Sequence, residues 1–332
     1  MNYLMIDCKT QSELSDVFDL LNKQGLRFED KVTSTIGLFD NHKLIATGSL
    51  YENVIKMIAV DRDYQNENLT GIILTNLTNK LREQGIYKYF LFTTPTNKHY
   101  FINYAFSLIA ETKDIVLLEN NINTIEEQLL KLKTSLPELS GSIASIVMNC
   151  NPVTFGHMYL IESCAKENNH VIIFLVEENK SVFSFDIRLE LIKKATKHLE
   201  NVVVLPSTAY IISSATFPTY FLKELNDVSL VYMDLDITIF KEYFMRIFNI
   251  NFRYVGEEPL DPTTRAYNMA MKAILKDKLK IIKRIENNQE PISASFVRKL
   301  AKNHQYKEIK QLVPKATYQF LISAKGKALF DE

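Results

Sequence analysis

The chain has 332 residues, 46% of them hydrophobic and 23% charged, with 39 Lys and Arg balancing 39 Asp and Glu. Zero net charge, without a basic stripe, excludes a protein held to nucleic acid by its overall field, and the hydrophobic content excludes a largely disordered chain. Length predicts two domains. The three cysteines (Cys8, Cys150, Cys164) lack metal-ligand spacing and fit a reducing compartment better than a disulfide framework. No stretch approaches the ~20 apolar residues of a membrane span, and the N-terminus has no basic region leading into an apolar core. A soluble, cytoplasmic protein with no membrane or nucleic-acid partner is expected.

In the first half, Ser12 or Ser15 is the expected cap of a helix running to Gln24 and stopped by Gly25. Strands are expected over 33–39 and 44–50, joined by the polar turn Asp40-Asn41-His42-Lys43, and over 54–60. Apolar residues at 69, 72, 73, 77 and 81 keep the 3.6-residue period and predict a helix over 69–84, stopped by Gly85. A strand over 87–93 and a helix over 97–105 follow, with Tyr100 and Tyr104 packing from one face. This order, with Ile58-Ala59-Val60-Asp61-x-x-Tyr64-Gln65 before the long helix, resembles the GNAT-type acetyltransferases. The resemblance implies an α+β domain over 1–120. In that family a Gln/Arg-x-x-Gly-x-Gly/Ala turn lets backbone amides grip an acyl-CoA pyrophosphate. Here Asn68 and Thr70 stand at the two small-residue positions and Gly71 comes one place late, so side chains crowd the approach of a phosphate. The domain is expected to bind a CoA-like arm or a partner instead of transferring acetyl groups. A Glu- and Lys-rich helix over 122–136, then Pro137 and Ser140-Gly141-Ser142, predicts a helical linker over 121–141.

From 142 to 332 strand signals at 142–148, 171–176, 202–205, 230–233 and 252–255 alternate with stretches long enough for crossover helices. Continuously apolar runs suit strands buried on both faces of a parallel sheet, which predicts a doubly wound, Rossmann-like α/β domain with its ligand at the carboxyl ends of the strands. At the first such end an Asn149-Cys150-Asn151-Pro152 turn leads to Thr154-Phe155-Gly156-His157 and a helix carrying Leu160, Ile161 and Cys164. A helix N-terminus there offers backbone N–H groups and a positive dipole end to an anion, and His157 can donate to a phosphate oxygen. Downstream, Pro291 precedes Ile292-Ser293-Ala294-Ser295-Phe296-Val297-Arg298, where Ser293 reads as the cap of a second helix. Two such ends facing one cleft would hold a triphosphate from both sides, with Arg298 stabilising charge on a leaving pyrophosphate.

The pair resembles the nucleotidyltransferase superfamily with (His/Thr)-x-Gly-His and Ile-Ser-Ser/Ala-x-x-x-Arg signatures, whose members direct attack on the ATP α-phosphate. Further stretches narrow the likeness. Asn149-x-Asn-Pro-x-Thr-x-Gly-His, Ser213-Ser214-Ala215-Thr216-Phe217-Pro218-Thr219-Tyr220-Phe221, Gly256-Glu257-Glu258-Pro259, Thr264-Arg265-Ala266-Tyr267-Asn268 and Arg284-Ile285-Glu286 stand in the order found in the citrate (pro-3S)-lyase ligases, which also carry a GNAT-like N-terminal domain.

That resemblance implies an acid–thiol ligase using ATP and Mg²⁺. Acetate would attack ATP to give acetyl-adenylate and pyrophosphate. The acetyl group would then pass to the thiol of the dephospho-CoA-derived arm on the citrate lyase acyl carrier protein, releasing AMP. It implies His157, Thr154 and Arg298 as catalytic residues. Asn149, Asn151, Pro152, Gly156, Ser293, Ser295, Gly256 and Glu257 would serve ATP, while Ser213, Ser214, Thr216, Phe217, Arg265, Tyr267 and Arg188 would serve acetate or the arm. No protein metal-ligand set is read. Plainer readings stand beside several of these. The segment from Ser213 to Phe221 reads equally as a helix start with a packed aromatic cluster, Gly256-Glu257 as a capped turn, and Arg188 as a solvent-facing helix charge. Two other functions use the same motifs: an adenylyltransferase leaving AMP on a small phosphorylated substrate, and a non-catalytic module that binds a carrier protein.

Overall fold

The computed structural model describes residues 3–29, 31–65, 67–213, 216–217, 227–258, 261–283, 286–287 and 290–330. The chain divides into two compact units, Met1–Thr124 and Ile125–Glu332.

Unit 1 runs β1 (Leu4–Asp7), α1 (Gln11–Lys23), β2 (Ser34–Asp40), β3 (Lys43–Tyr51), β4 (Val54–Val60), α2 (Leu69–Glu83), β5 (Tyr89–Thr93), α3 (Lys98–Ile102), β6 (Ser107–Glu111) and β7 (Val116–Asn120). Its seven-stranded sheet has the order β1-β2-β3-β4-β5-β7-β6. Neighbours are antiparallel except β4 and β5, which run parallel and pair only at Val54↔Phe90 and Ile55↔Leu91. Leu69, Ile73, Leu74, Leu77 and Leu81 of α2 share a buried cluster with Ile36, Leu38, Ile45 and Leu91, while Val17, Leu20 and Leu21 of α1 bury against Phe39, Leu44 and Met57. Helices thus cover the sheet through their 3.6-period apolar stripes, giving the α+β domain expected of a GNAT-like sequence. The first helix is capped by Thr10 and not by Ser12 or Ser15: its side chain accepts from the Glu13 N–H, and Glu13 reaches back to the Thr10 N–H as a capping box.

Unit 2 runs α4 (Ile125–Lys133), β8 (Ile143–Met148), α5 (Phe155–Glu167), β9 (His170–Leu175), α6 (Phe185–Thr196), β10 (Val202–Pro206) and α7 (Asp227–Ile239), then β11 (Phe252–Gly256), α8 (Pro262–Leu275) and β12 (Leu279–Ile282). A short hairpin, β13 (Glu286–Asn287) and β14 (Glu290–Pro291), precedes α9 (Ala294–Lys302), α10 (Tyr306–Ile309), α11 (Lys315–Ile322) and α12 (Ala324–Lys327). The sheet order is β10-β9-β8-β11-β12, and every pairing is parallel. This is the doubly wound sheet that the apolar runs predict. The helix expected as a linker clusters with unit 2 as α4: Gln128 donates to the Tyr210 hydroxyl at 2.7 Å, and Lys133 to the Ile247 carbonyl at 2.6 Å.

One expected strand is a helix. Residues 230–233 lie inside α7, which continues as a π-helical segment, Phe240–Met245. A short apolar run does not distinguish a strand from a helix buried all round. Here the residues beyond it decide, because Met233, Leu235, Asp236, Ile237, Ile239 and Phe240 are all fully buried. The fifth strand is instead β12, a four-residue edge strand whose middle residues, Lys280 and Ile281, are exposed and whose apolar run is broken by Lys280. Among the described residues no helix is long and apolar enough to cross a membrane.

Candidate active site

From β8 the chain winds outward through β9 and β10, then returns to the other side of β8 as β11. The carboxyl ends of β8 and β11 therefore flank a topological switch point, where crossovers diverge to opposite faces and leave a crevice. A cleft of about 650 Å³ opens there, lined by Asn149 and Asn151 after β8, by Gly256 on β11, and by the N-termini of α5 and α9.

Thr154 caps α5, and its hydroxyl accepts from the His157 N–H at 3.4 Å. The His157 ring closes the motif by taking the place of the usual Glu or Gln, with Nδ1 accepting from the Thr154 N–H at 3.1 Å. An accepting Nδ1 places the ring proton of the neutral imidazole on Nε2. Thr-x-x-His is thus both a helix cap and a device that fixes the tautomer and heading of a donor on the first turn of a cleft-lining helix.

The second helix end is built alike: the Ser293 hydroxyl accepts from the Phe296 N–H at 3.2 Å to cap α9. Gly156 brings the two ends together. A Cβ on it would lie 2.8 Å from the Ile292 carbonyl oxygen, so the close approach that demands glycine is made by the chain itself. Arg298 adds a tie by donating from Nη1 to the Asn151 carbonyl, and burial lowers its affinity for its proton below that of an ordinary arginine. Ser295 is exposed on the cleft rim. Gly156→Ala should therefore push α9 away from α5, lowering ATP affinity by at least about tenfold and stability by about 1–3 kcal/mol, as read by nucleotide titration and thermal melting.

The turn after β8 is held from below. Arg188 on α6 is fully buried and donates to the carbonyls of Phe183 (3.0 Å), Asn149 (3.0 Å), Val176 (2.6 Å) and Glu178 (2.9 Å), and to Asn149 Oδ1 (2.9 Å). This overturns both readings of Arg188, as a substrate contact and as a solvent-facing charge, since its guanidinium is occupied by main-chain carbonyls. Asn149 also donates to Ser181 at 3.0 Å, and Asn151 Oδ1 accepts from the Phe183 N–H at 3.1 Å. The Asn-x-Asn pair is therefore bound into the scaffold while lining the cleft. Pro152 is buried behind it, after a cis peptide bond.

The remaining candidates divide. Ser213, Thr216 and Phe217 are buried around Asp236, away from the cleft lining: Thr216 donates to Asp236 Oδ1 at 3.0 Å, Ser213 donates to the Ala209 carbonyl at 2.7 Å, and the Phe217 ring lies 5.4 Å from that of Tyr267. Here the packed reading of the segment is the one the contacts support; Ser214, Pro218 to Phe221, Pro259 and Arg284 lie outside the described residues. Tyr267 lines the cleft, but Arg265 is exposed elsewhere on α8. Glu257 is exposed and its neighbour Glu258 lines the cleft instead, accepting from the Asp261 N–H at 3.1 Å.

Lys180, Arg253 and Lys283 also line the cleft and were not singled out by sequence, and Asn268, from the Thr264–Asn268 stretch, joins them. Lys180 and Lys283 follow β9 and β12, so position at a strand's carboxyl end was their only signal. Arg253 carried a clearer one, being a charge inside an otherwise apolar strand. It is 1% exposed, its guanidinium carbon sits 4.2 Å from the centre of the Phe240 ring, and Nη2 donates to the Tyr267 hydroxyl at 3.3 Å. Its Nε and Nη1 have no hydrogen-bond partner among the described residues. The Tyr267 hydroxyl donates in turn to Asp236, whose carboxyl is pushed up by burial and drawn back by donors from Ile212, Tyr267 and Thr216 and by the charge of Arg253.

Residues 143–321 match the family model for the citrate lyase ligase C-terminal domain. The chain is 36% identical over 322 residues to citrate (pro-3S)-lyase ligase of Klebsiella pneumoniae, spanning 95% of this chain and 93% of that one. It is 31% identical to the enzyme of that name from Escherichia coli strain K12, over 93% of this chain and 90% of that one. The chain belongs to the citrate lyase ligase family. The chain is also similar to phosphopantetheine adenylyltransferase of Thermobifida fusca, 30% identical over 33% of this chain and 63% of that one.

Two features bear on how a citrate lyase ligase of this sequence handles acyl groups. In unit 1, Asn68 adopts a left-handed conformation before α2 and accepts from the Tyr104 hydroxyl. A Cβ on Gly71 would lie 2.9 Å from Asn68 Oδ1 and 3.0 Å from that hydroxyl, so side chains stand over the helix end where a pyrophosphate would need bare backbone. Tyr104 packs on the core, as expected, whereas Tyr100 is exposed. In unit 2, burial pushes the Cys150 thiol up to about 12 and Cys164 likewise to about 12; in unit 1 it pushes Cys8 to about 11. With almost no thiolate at neutral pH, none is a nucleophile. N-ethylmaleimide at pH 7.5 should leave the native mass unchanged and add three labels only in denaturant, as read by intact-protein mass spectrometry.

Proposed function

We propose that this citrate lyase ligase family member activates acetate with ATP and delivers the acetyl group to the thiol arm of the citrate lyase acyl carrier protein. The observation that carries the reading is the pairing of two capped helix N-termini, α5 and α9, across one cleft at the β8/β11 switch point. Two N-termini, His157 Nε2–H, Arg298 and the ammonium groups of Lys180 and Lys283 surround a volume suited to a triphosphate.

The acetate oxygen forms a bond to the α-phosphorus while the bond to the β-phosphate oxygen breaks, and pyrophosphate leaves with the electron pair. A thiolate sulfur then bonds the acyl carbon and AMP departs, the thiol proton going to solvent. Acetate is already ionised, so the first step needs no general base. The chain's part is positioning and offsetting charge on the α-phosphate and departing pyrophosphate. His157 donates to a phosphate oxygen from a fixed tautomer. Arg298 and the α9 N-terminus receive the pyrophosphate end. The buried thiols leave the acyl group no covalent stop on unit 2's own cysteines.

Mg²⁺ bound with ATP would neutralise triphosphate charge, and Glu258 and Asp261, both lining the cleft, are the carboxylates that would hold it. Unit 1, with its helix end covered, is assigned to holding the carrier or its arm. Incubation with ATP, acetate and deacetylated citrate lyase should release AMP and pyrophosphate and restore lyase activity. Production of ADP, or a stable adenylylated small molecule, would overturn the reading.

A further inference from the structure

The cleft lining includes a buried cation, Arg253, whose counter-charge, Asp236, acts on it without direct contact. Arg253 is buried on β11, one wall of the switch point, and among the described residues no carboxylate lies within ion-pair distance of it. Its link to an acid is indirect: Nη2 donates to the Tyr267 hydroxyl, which donates to Asp236. Asp236 is already saturated on its other oxygen by the Ile212 N–H at 2.7 Å and the Thr216 hydroxyl at 3.0 Å. Nε and Nη1 remain unpartnered among the described residues. A buried guanidinium with open donors is costly unless an anion arrives to meet it.

In the proposed reaction the phosphates are met by the N-termini of α5 and α9. The remaining anion in the proposed reaction is the carboxylate nucleophile, which must be drawn towards a like-charged triphosphate. We propose that Arg253, steadied by Tyr267 and Asp236, forms the carboxylate subsite that orients the acid against the α-phosphate. Ile212, Tyr267 and Met271, buried residues that line the cleft around it, supply an apolar wall for the acid's short hydrocarbon tail. The substrate class is a short-chain monocarboxylate. The ring faces of Phe240 and Tyr267, 4.2 and 5.7 Å from the guanidinium carbon, hold the arginine plane in place.

This assignment rests on the ligase reading, and the test separates the two. On the full chain, acetate-dependent ATP–pyrophosphate exchange is measured for wild type, Arg253→Gln and Arg253→Lys, beside titration with a non-hydrolysable ATP analogue. Thermal melts report the fold, and line broadening of ¹³C-acetate reports direct binding. Arg253→Gln should raise the KM for acetate by about 100-fold, the scale for losing one partner of a buried charge pair. Arg253→Lys, keeping the charge but not the planar fork, should raise it by about tenfold with a wild-type melting temperature. ATP-analogue affinity should stay within about threefold in both. An unchanged acetate KM in either variant, or ATP affinity falling in step with acetate affinity, overturns the subsite. If wild type shows no exchange yet broadens acetate in an Arg253-dependent way, the subsite stands and the ligase reading falls; no broadening in wild type removes the subsite.

Discussion

His157→Asn should lower the rate of acetyl-adenylate formation by about 10²–10³-fold, the usual cost of one electrostatic donor to a reacting phosphate or oxyanion, while leaving the melting temperature within experimental error. The two ring nitrogens have separate duties. Nδ1 accepts from the Thr154 N–H at 3.1 Å and belongs to the helix cap; Nε2 carries the proton that, in the proposed reaction, meets a phosphate oxygen. The amide oxygen of asparagine overlays Nδ1, so the cap survives and the donor is lost. Glutamine does the reverse: its amide nitrogen reaches the Nε2 position but no acceptor remains at Nδ1. His157→Gln should therefore retain more activity than His157→Asn and melt lower, by about 1 kcal/mol of cap energy. Single-turnover ATP–pyrophosphate exchange and thermal melts on the two variants check this. The opposite ranking in either measurement would mean that His157 is a structural cap only.

The doubly wound sheet was legible because parallel strands buried on both faces are continuous apolar runs, and four of them stand within two residues of their expected bounds. The fifth failed because 230–233 is a four-residue apolar run, too short to separate a strand from a turn of helix; the partly exposed face of α7, through Leu230, Val231, Asp234 and Thr238, shows its 3.6-residue period only over the full element. The candidate site was legible where backbone chemistry makes it. Thr154, His157 and Ser293 sit on helix ends, and caps leave a local signature of Ser or Thr followed by a partner three residues on; Arg298 follows one turn further along α9. It was illegible where long-range packing makes it. Nothing local tells that Arg253 borders the same cleft as Arg298, or that Thr216 reaches Asp236 across twenty residues. Gly156 lines the cleft as its nucleotide reading expects, and its missing Cβ also makes room for the Ile292 carbonyl, which nothing local announces.

Arg188 illustrates the same limit with the largest expected consequence for stability. Read locally it is a charge on an amphipathic helix; in the fold it is the peg on which three segments hang. Its guanidinium gathers the carbonyls of Asn149 after β8, Val176 and Glu178 after β9, and Phe183 before α6. Arg188→Met keeps the length and apolar stem of the side chain but removes the donor from the buried Phe183 and Val176 carbonyls and from the half-buried carbonyls of Asn149 and Glu178 at once. The expected loss is about 3–5 kcal/mol, or about 10 °C in melting temperature for a unit of this size. Because the Asn149–Asn151 turn hangs from that peg and Arg298 grips the Asn151 carbonyl, ATP affinity should fall together with stability. Direct substrate contact predicts the contrary pattern, a raised KM for acetate or carrier with an unaltered melt. The arginine's place, one layer beneath the cleft and fully out of water, makes the coupled loss the expected result: the anion site at the head of α5 stands only while the turn below it is held.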